Sequence, residues 1–191
     1  MASSIRIDTA ALQLGELVTS QKGAKTCALT VRDTAIYWTP GSMIAPFEPR
    51  AFDGQEASRV SLCLRPTESV QRQLEDLDNA ILSLATANST MLFGKELCPQ
   101  AIIDRYQSAL KVSEKGTLMR AKINLFAPRA CRYWATTNAR TDAPETWAGA
   151  FCATRICVKA LWFMPKEFGC LLEVHDALVT QPDTECPFMD A

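Results

Sequence analysis

Two apolar runs, separated by a short segment that holds proline and glycine, constrain the fold of this chain more than any other feature. The runs cover residues 155–164 and 170–179, and the segment from Pro165 to Gly169 connects them. A short connection of this kind between two apolar runs predicts a β-hairpin. Because side chains alternate along a strand, the first run presents an apolar face formed by Ile156, Val158, Ala160 and Trp162.

The opposite face of that first strand carries cations and an aromatic ring, from Arg155, Lys159 and Phe163. Single-stranded nucleic acids bind to extended surfaces of this kind, where cations contact phosphates and aromatic rings stack on bases. The alternative is an ordinary hairpin, in which the lysine stem lies along the surface and the phenylalanine packs into the core. The pattern therefore suggests nucleic-acid binding as a hypothesis for the rest of the chain to support or weaken.

The length of 191 residues, 48% of them hydrophobic, is enough for one sizeable core and predicts a single domain. No run approaches the roughly 18 apolar residues that cross a bilayer. The start of the sequence lacks the apolar segment of a signal peptide. We therefore expect a soluble, intracellular protein with no membrane partner.

Eight cysteines and a single histidine limit the metal and redox chemistry that the chain can perform. The cysteines form no CxxC pair, so no zinc site is predicted, and we expect no metal and no cofactor. Without a secretory signal the cysteines are expected to be reduced and buried. His175 with Cys157 or Cys170 could supply a base and a thiol nucleophile, which keeps a hydrolase as one alternative. No carboxylate pair has a spacing that demands acid–base chemistry, so no catalytic residue is assigned and no enzyme is predicted.

The net charge of −1 conceals an uneven distribution of charge along the chain. Residues 120–170 hold eight basic side chains against three acidic ones, whereas residues 171–191 hold five acidic side chains and no basic one. A basic segment followed by an acidic end can be a nucleic-acid surface with its own electrostatic competitor. The same distribution arises by chance if the charges point in unrelated directions.

Helical and strand patterns both occur outside the hairpin, so the sequence predicts an α+β protein. Residues 59–65 alternate as a half-buried strand, and apolar residues at spacings of three and four predict a helix over 68–87, capped by Thr67. A second, shorter helix is predicted to begin near Pro99. Its apolar face would be formed by Ile102, Ile103, Tyr106 and Leu110.

A further strand is predicted over residues 117–126, where the pattern returns to a period of two. Its inward side chains would be Met119, Ala121, Ile123 and Leu125. Its outward side would be basic, because Arg120 and Lys122 alternate with those apolar residues.

The candidate nucleic-acid site combines cations and aromatic rings from the predicted strands. The cations that would contact phosphates are Arg120, Lys122, Arg132, Lys159 and Lys166. The rings that would stack on bases are Tyr133, Trp134, Phe163 and Phe168. The alternatives are a solvated strand face for the cations and core packing for the rings. For Trp162, on the apolar face, core packing is the prediction.

The order of features along residues 40–180 resembles a known family. The proline-broken segment of residues 43–47 precedes a strand, and the stretch from Leu77 to Lys95 follows, with Asn88-Ser89 and Gly94-Lys95 near its end. A helix ending in Tyr106, an Arg-Ala-Lys-Ile strand at residues 120–123, and Leu161-Trp-Phe with Phe168-Gly169 complete the order. In this order of features, the chain is similar to a poorly characterised protein family of nucleocytoplasmic large DNA viruses, which itself resembles phage-type single-stranded DNA-binding proteins.

The resemblance implies a five-stranded, OB-like antiparallel β-barrel with two inserted helices at about 67–111. The domain would cover residues 1–180, and residues 181–191 would form an acidic C-terminal tail. The implied function is non-enzymatic, salt-sensitive and weakly sequence-dependent binding of single-stranded DNA in replication, recombination or repair, with RNA left possible.

The resemblance also implies roles for the tail and for pairing of chains. The tail residues Asp183, Glu185, Phe188 and Asp190 would compete with DNA and bind replication proteins, and the resemblance makes a homodimer plausible. The alternative function is a structural or protein-interaction component of a replication complex or virion, without nucleic-acid binding. The near-neutral net charge favours that alternative.

Overall fold

The computed structural model describes residues 7–21, 23–51, 58–114, 116–136 and 138–182, so the four predicted tail residues lie outside it. Three α-helices lie within the described residues: α1 (Glu68–Ala87), α2 (Ser89–Phe93) and α3 (Pro99–Ile103). The same residues contain twelve strands: β1 (Leu12–Thr19), β2 (Lys25–Val31), β3 (Thr34–Trp38), β4 (Ser42–Ile44), β5 (Arg59–Leu64), β6 (Tyr106–Gln107), β7 (Leu110–Ser113), β8 (Gly116–Asn124), β9 (Arg132–Thr136), β10 (Ala139–Thr141), β11 (Phe151–Phe163) and β12 (Phe168–Thr180).

The predicted hairpin is confirmed and forms the centre of one curled sheet. Strands β11 and β12 pair antiparallel along their full length, and the main path through the sheet is β1-β2-β3-β11-β12-β8-β5. Strand β12 pairs in parallel with β6, β8 and β9, so the sheet is mixed. The parallel pairs are a departure from the predicted antiparallel barrel, because a period of two looks the same for a strand running in either direction.

Helix α1 confirms the sequence prediction at both ends. Its N-terminus is capped by Thr67, whose Oγ1 accepts a hydrogen bond from the Val70 N–H at 3.4 Å. One stripe of the helix is buried, formed by Val70, Gln73, Leu74, Leu77, Ile81 and Ala85. This stripe packs on the sheet, and the Trp38 Nε1–H donates to Gln73 Oε1 across the contact at 3.2 Å.

The second predicted helix is only partly correct. Helix α3 begins at Pro99 as predicted but ends at Ile103, and Tyr106 and Leu110 belong to strands β6 and β7. The helical spacing of those two residues is therefore coincidental, which is a known ambiguity of short apolar patterns. A short helix that the sequence analysis missed, α2, ends at Gly94, which adopts a left-handed conformation with φ of 73°.

The sheet has two chemically different sides. The core face packs against α1 and carries Trp38, Ile156 and Val174, all less than 1% exposed. The polar face is the opposite side, and positions such as Tyr37 and Glu173 alternate with core-face neighbours on the same strands. Alternation along the strands therefore places charged and apolar side chains on separate sides.

Two β-bulges change this alternation within the central hairpin. Lys159 is an extra residue in β11, between the pairs Val158↔Leu172 and Ala160↔Leu171, and His175 is an extra residue in β12. Beyond Lys159 every side chain of β11 therefore points to the face opposite to the one that simple alternation predicts, as a one-residue shift requires. Trp162 therefore lies on the polar face and Phe163 on the core face, so the sequence-based placement of both residues is wrong.

The end of β8 also differs from the prediction. The strand stops at Asn124, and Leu125, predicted to point inwards, is 43% exposed. The sequence pattern continues through Leu125, but the backbone leaves the sheet before it.

Candidate nucleic-acid interface

The polar face is built from a row of residues in direct register across five strands. The row runs from β3 through β11, β12 and β8 to β5 and consists of Tyr37, Cys157, Glu173, Lys122 and Ser61. Side chains paired in this way point to the same side of a sheet and lie close to their neighbours. The polar face is therefore continuous from β3 to β5.

Glu173 lies at the centre of that row with a side chain only 1% exposed. The Lys159 Nζ donates to its Oε2 at 2.5 Å, and the His175 Nε2 lies 3.3 Å from its Oε1. Burial raises the pKa of Glu173, but the hydrogen bond and charge of Lys159, together with smaller contributions from Asn124 and His175, outweigh burial, so the pKa lies below its ordinary value. Lys159, predicted to contact phosphate, is thus held by an internal carboxylate.

Asp176, the residue directly after the His175 bulge on the same strand, gathers a second group of donors. Arg132 bonds both carboxylate oxygens at 2.7 Å, the Arg155 Nε lies 2.8 Å from Oδ2, and the Trp134 Nε1–H donates to Oδ1 at 3.0 Å. Burial raises the pKa of Asp176, and the hydrogen bonds and positive charges around it lower the pKa by more. Asp176 is therefore ionised and orients two guanidinium groups and an indole ring.

Guanidinium groups lie over aromatic rings on both sides of Asp176. The Arg155 guanidinium is 4.4 Å from the centroid of the Tyr37 ring, and that ring meets His175 edge-on at 5.3 Å. On the other side the Arg140 guanidinium is 5.4 Å from the Trp134 ring. Cation–π contacts of this geometry hold the aromatic rings in fixed positions. Tyr37 is 40% exposed, so part of its fixed ring faces solvent.

A third ring lies farther along β11 on the same face. Trp162 pairs with Gly169 and is half-buried. A Cβ atom at Gly169 would lie 2.8 Å from the Trp162 ring and 2.5 Å from the Gln107 carbonyl oxygen. Glycine is therefore required at this position, because only its bare backbone lets the ring lie against the sheet.

The predicted cations occupy different environments. Arg120 and Lys166 are exposed, Arg120 on the polar side of β8 and Lys166 in the turn between β11 and β12. The Lys122 Nζ donates to Ser61 Oγ at 2.6 Å. Burial, followed by the positive charges of Arg59 and Arg120, lowers the pKa of Lys122.

The predicted aromatic rings do not form one surface. Phe168 is fully buried and stacks in parallel with Phe163 at 5.7 Å, so the prediction that Phe168 stacks on a base is wrong. Phe163 lies on the core face, in the wall of a cleft of about 390 Å³. Tyr133 points to the core side and meets the buried Trp147 edge-on at 6.1 Å. Of the four rings, Trp134 is the one that the structure places on the polar face.

Four aromatic or arginine residues of the polar face were absent from the predicted site. These are Tyr37, Arg140, Arg155 and Trp162. The sequence carried a signal for two of them: Arg155 shares the alternation of Lys159, and a glycine inside a strand at position 169 marks a close approach by another group. Nothing in the local sequence connects Tyr37 to this face, because its contacts with Arg155 and His175 span long sequence separations. Arg140, in contrast, lies opposite Trp134, only six residues earlier, because β9 and β10 pair with each other.

The thiol chemistry of the hydrolase alternative finds no support in the described residues. Among them, His175 makes no hydrogen bond to a thiol, and its nearest charged partner is Glu173. Burial raises the pKa of Cys131 to about 12 and that of Cys152 to about 11, and it also raises the pKa of Cys157. Thiols with raised pKa values are poor nucleophiles near neutral pH.

The part of the chain that the structure describes contains no group of three or more His, Cys, Asp or Glu side chains arranged to hold a metal ion. No helix there is both long and apolar enough to cross a membrane.

Comparison with known proteins identifies the fold. No protein-family model and no curated protein matches the sequence. Among solved structures, gp2.5, a single-stranded DNA-binding protein encoded by bacteriophage T7, superposes with a TM-score of 0.52 at 11% identity, covering 81% of this chain and 97% of gp2.5. The single-stranded DNA-binding protein from bacteriophage Enc34 gives a TM-score of 0.46 at 10% identity, covering 94% of this chain and 96% of its own. The match to gp2.5 confirms the predicted OB-like fold, here a curled, mixed half-barrel with helices.

Proposed function

We propose that this chain binds single-stranded DNA through its polar face, without enzymatic activity, in DNA replication, recombination or repair. One observation carries the proposal: guanidinium groups, the exposed ring of Tyr37 and the half-buried ring of Trp134 are held together around Asp176, with Trp162 on the same face. Proteins that bind single strands combine cations along the backbone with rings on which bases stack. The function named for gp2.5, whose fold is similar, supports the same conclusion.

The proposed path follows strand β11 from Arg155 to Trp162. At about 3.3 Å per residue, these positions lie roughly 23 Å apart along the strand. Lys159 lies between them on the same face. Rings at both ends, with cations between them, suit a strand of several nucleotides, within the ~4–16 nucleotides that one OB fold covers.

The internal carboxylates shape the expected energetics of binding. Lys159 is paired with Glu173, and Arg132 and Arg155 are paired with Asp176, so these cations are oriented but partly neutralised. Each phosphate neutralised on a single strand contributes about −0.7 to the slope of log K against log salt. We expect a slope smaller than the number of cations alone would give, with stacking supplying much of the affinity.

Of the predicted site, we retain Arg120, Lys122, Arg132, Trp134, Lys159 and Lys166 as proposed contacts. We propose that residues 181–191 act as an acidic tail that competes with DNA and binds replication proteins. A homodimer, an intracellular location and kinship with the family of large DNA viruses stay predictions, as does the boundary of the domain at residue 180.

The first experiment is fluorescence anisotropy with a labelled single strand of about 30 nucleotides, at low and moderate salt. We expect salt-sensitive binding by the full chain and tighter binding by a chain that ends at Thr180. Trp134→Ala should weaken binding by about 5- to 150-fold, whereas Trp134→Phe, which keeps a ring, should retain most of it. Arg72→Ala, on the exposed side of α1, serves as a control that should change nothing.

The alternative function is a structural or protein-interaction component without nucleic-acid binding. The pairing of polar-face cations with Glu173 and Asp176 favours it, because such pairs leave less charge for phosphates. If neither the full chain nor the shortened chain binds a single strand at low salt, the DNA-binding proposal is wrong and this alternative becomes the better one.

A further inference from the structure

The chain leaves the sheet between two segments that pair with β12 and returns to it after a short, exposed loop. Strand β8 ends at Asn124, and the Cys131 N–H donates to the Asn124 carbonyl oxygen at 3.0 Å. The Leu125 N–H donates to the Ser58 carbonyl oxygen, also at 3.0 Å. These two bonds close the base of the loop and fix where residues 125–130, the 125–130 loop, emerge.

The register of β12 places that base within the proposed interface. Glu173 pairs with Lys122 before the loop, and Asp176 pairs with Arg132 after it. The 125–130 loop therefore emerges beside the His175 bulge, between two groups of charged side chains. One group surrounds Glu173 and the other surrounds Asp176. Loops held by a rigid scaffold at such positions commonly carry binding residues.

The composition of the loop suits a single strand. Phe126 is 65% exposed, and Leu125 next to it is 43% exposed. Arg129, on the same loop, is also exposed. Scattered exposed apolar residues need no explanation, but here an exposed ring and an exposed cation occupy one short loop beside two cation clusters.

We infer that Phe126 stacks on a base of the bound strand and that Arg129 contacts a phosphate beside it. This inference rests on the proposed function and extends its interface from the sheet to the 125–130 loop. Phe126 is two residues from Asn124, so at most about 7 Å of backbone separates it from the sheet. The ring is thus within reach of a strand lying over Lys122 and Arg132.

Charge and position favour a nucleic acid over a protein as the occupant. The cations nearest the loop in sequence and register are Lys122, Arg129 and Arg132, which suit a phosphate backbone. The base of the loop also lies, by register, beside the cations and rings grouped around Glu173 and Asp176, so one strand could contact all of them.

The test compares Phe126→Ala, Phe126→Trp and the wild-type chain in the anisotropy assay. Phe126→Ala should weaken binding by about 5- to 150-fold with an unchanged salt slope, because stacking neutralises no phosphate. Phe126→Trp should restore binding. Phe47→Ala is the matched control: Phe47 is 52% exposed on another loop, which Glu48 fastens to the Trp147 N–H at 3.0 Å.

Photo-crosslinking gives a second readout that does not depend on affinity. A single strand with 5-iodouracil at successive positions should crosslink to Phe126, and mass spectrometry would identify the modified peptide. Crosslinks confined to β11 and β9 would overturn the inference, as would wild-type affinity of Phe126→Ala or equal losses in Phe126→Ala and Phe47→Ala.

The outcomes separate this inference from the proposed function. If the wild-type chain binds DNA and Phe126→Ala binds equally well, only the loop inference fails. If the wild-type chain does not bind at all, the proposed function fails and the loop inference with it. If Phe126→Ala abolishes self-association in sedimentation experiments and leaves DNA affinity unchanged, the loop is a contact between copies and the inference is wrong.

Discussion

Two neighbouring aromatic residues at the end of β11 face opposite sides of the sheet and belong to different chemistries. Trp162 lies on the polar face over Gly169, whereas Phe163 packs with Phe168 and Phe93 on the core face. The sequence pattern predicts the reverse assignment. A single bulge at Lys159 accounts for the difference, because one extra residue moves every later side chain to the other face.

The two faces also hold their carboxylates differently. On the helix side, Asp78 accepts hydrogen bonds from the Tyr106 hydroxyl at 2.6 Å and the Ser108 hydroxyl at 2.5 Å, and burial raises its pKa. On the polar face, Asp176 is surrounded by guanidinium groups, and its pKa is lowered despite burial. The carboxylate on the helix side is therefore bonded by neutral hydroxyl donors, whereas the carboxylate on the polar face stays charged and orients cationic side chains.

The largest expected effect comes from removing the buried ring of Phe168 on the core face, compared with removing Trp162 from the polar face. Phe168→Ala should lower the free energy of unfolding by about 3–5 kcal/mol, because it removes a fully buried ring. Trp162→Ala should cost less stability but weaken DNA binding. Urea unfolding and anisotropy on both variants check this, and a Phe168→Ala variant that stays stable but binds poorly would restore the sequence-based assignment.

Gly169→Ala should have the next largest effect, a loss of roughly 1–3 kcal/mol of stability through overpacking. The added methyl would collide with the Gln107 carbonyl oxygen and the Trp162 ring, so the ring must move. The tryptophan emission spectrum should change with the stability. Gly15→Ala is the control. Its added Cβ would lie 3.2 Å from the Ala28 Cβ and 3.6 Å from the Ala28 carbonyl oxygen, which is the nearest backbone atom. Equal losses in both variants would contradict the close approach of Trp162.

How much the sequence predicts differs between these elements. The hairpin and α1 with its Thr67 cap follow from patterns confined to short stretches of chain, and both are confirmed. The position of a bulge depends on which strands pair and in what register, so the face of Trp162 could not be predicted from alternation alone. The local signal for this placement was Gly169, because a glycine inside a strand marks a close approach by another group.

The candidate site is harder to predict for a related physical reason. Asp176 meets Arg132 because β9 and β12 pair in parallel, 44 residues apart in sequence. In the sequence, Asp176 belongs to the acidic end of the chain, which by composition predicts a competitor of the basic segment. The structure places it among the cations, since pairing across the sheet depends on topology.

A smaller and pH-dependent effect is expected for Asp176→Asn. The variant keeps the shape of the side chain but loses the charge that bonds Arg132, so it should lose about 1–2 kcal/mol near pH 7. The pKa of Asp176 is lower in the folded protein than in the unfolded chain. Its contribution is therefore complete above the unfolded pKa of about 3.9 and is lost as pH falls through the folded pKa.

Urea unfolding of the wild type and Asp176→Asn between pH 3 and pH 7 measures this contribution. The difference in stability should be constant near neutral pH and should shrink below about pH 4. The matched variant Asp78→Asn tests the other face with the opposite sign, because a raised pKa weakens the folded state once the carboxyl ionises. A wild-type advantage over Asp176→Asn that persists unchanged to pH 3 would show that the charge of Asp176 does not stabilise the fold.

The smallest expected effect concerns Arg140, which lies over the Trp134 ring and is exposed on β10. Arg140→Ala removes a cation that has no carboxylate partner among the described residues, so it should lower the salt slope by about 0.7 and weaken binding a few-fold at low salt. Its effect on stability should be within about 0.5 kcal/mol. Arg132→Ala removes a cation already paired with Asp176 and should change the slope less, while costing more stability. Equal slopes for Arg140→Ala and the wild type would mean that the phosphate path does not pass β10, and the strand would then follow β8 and Arg120 instead.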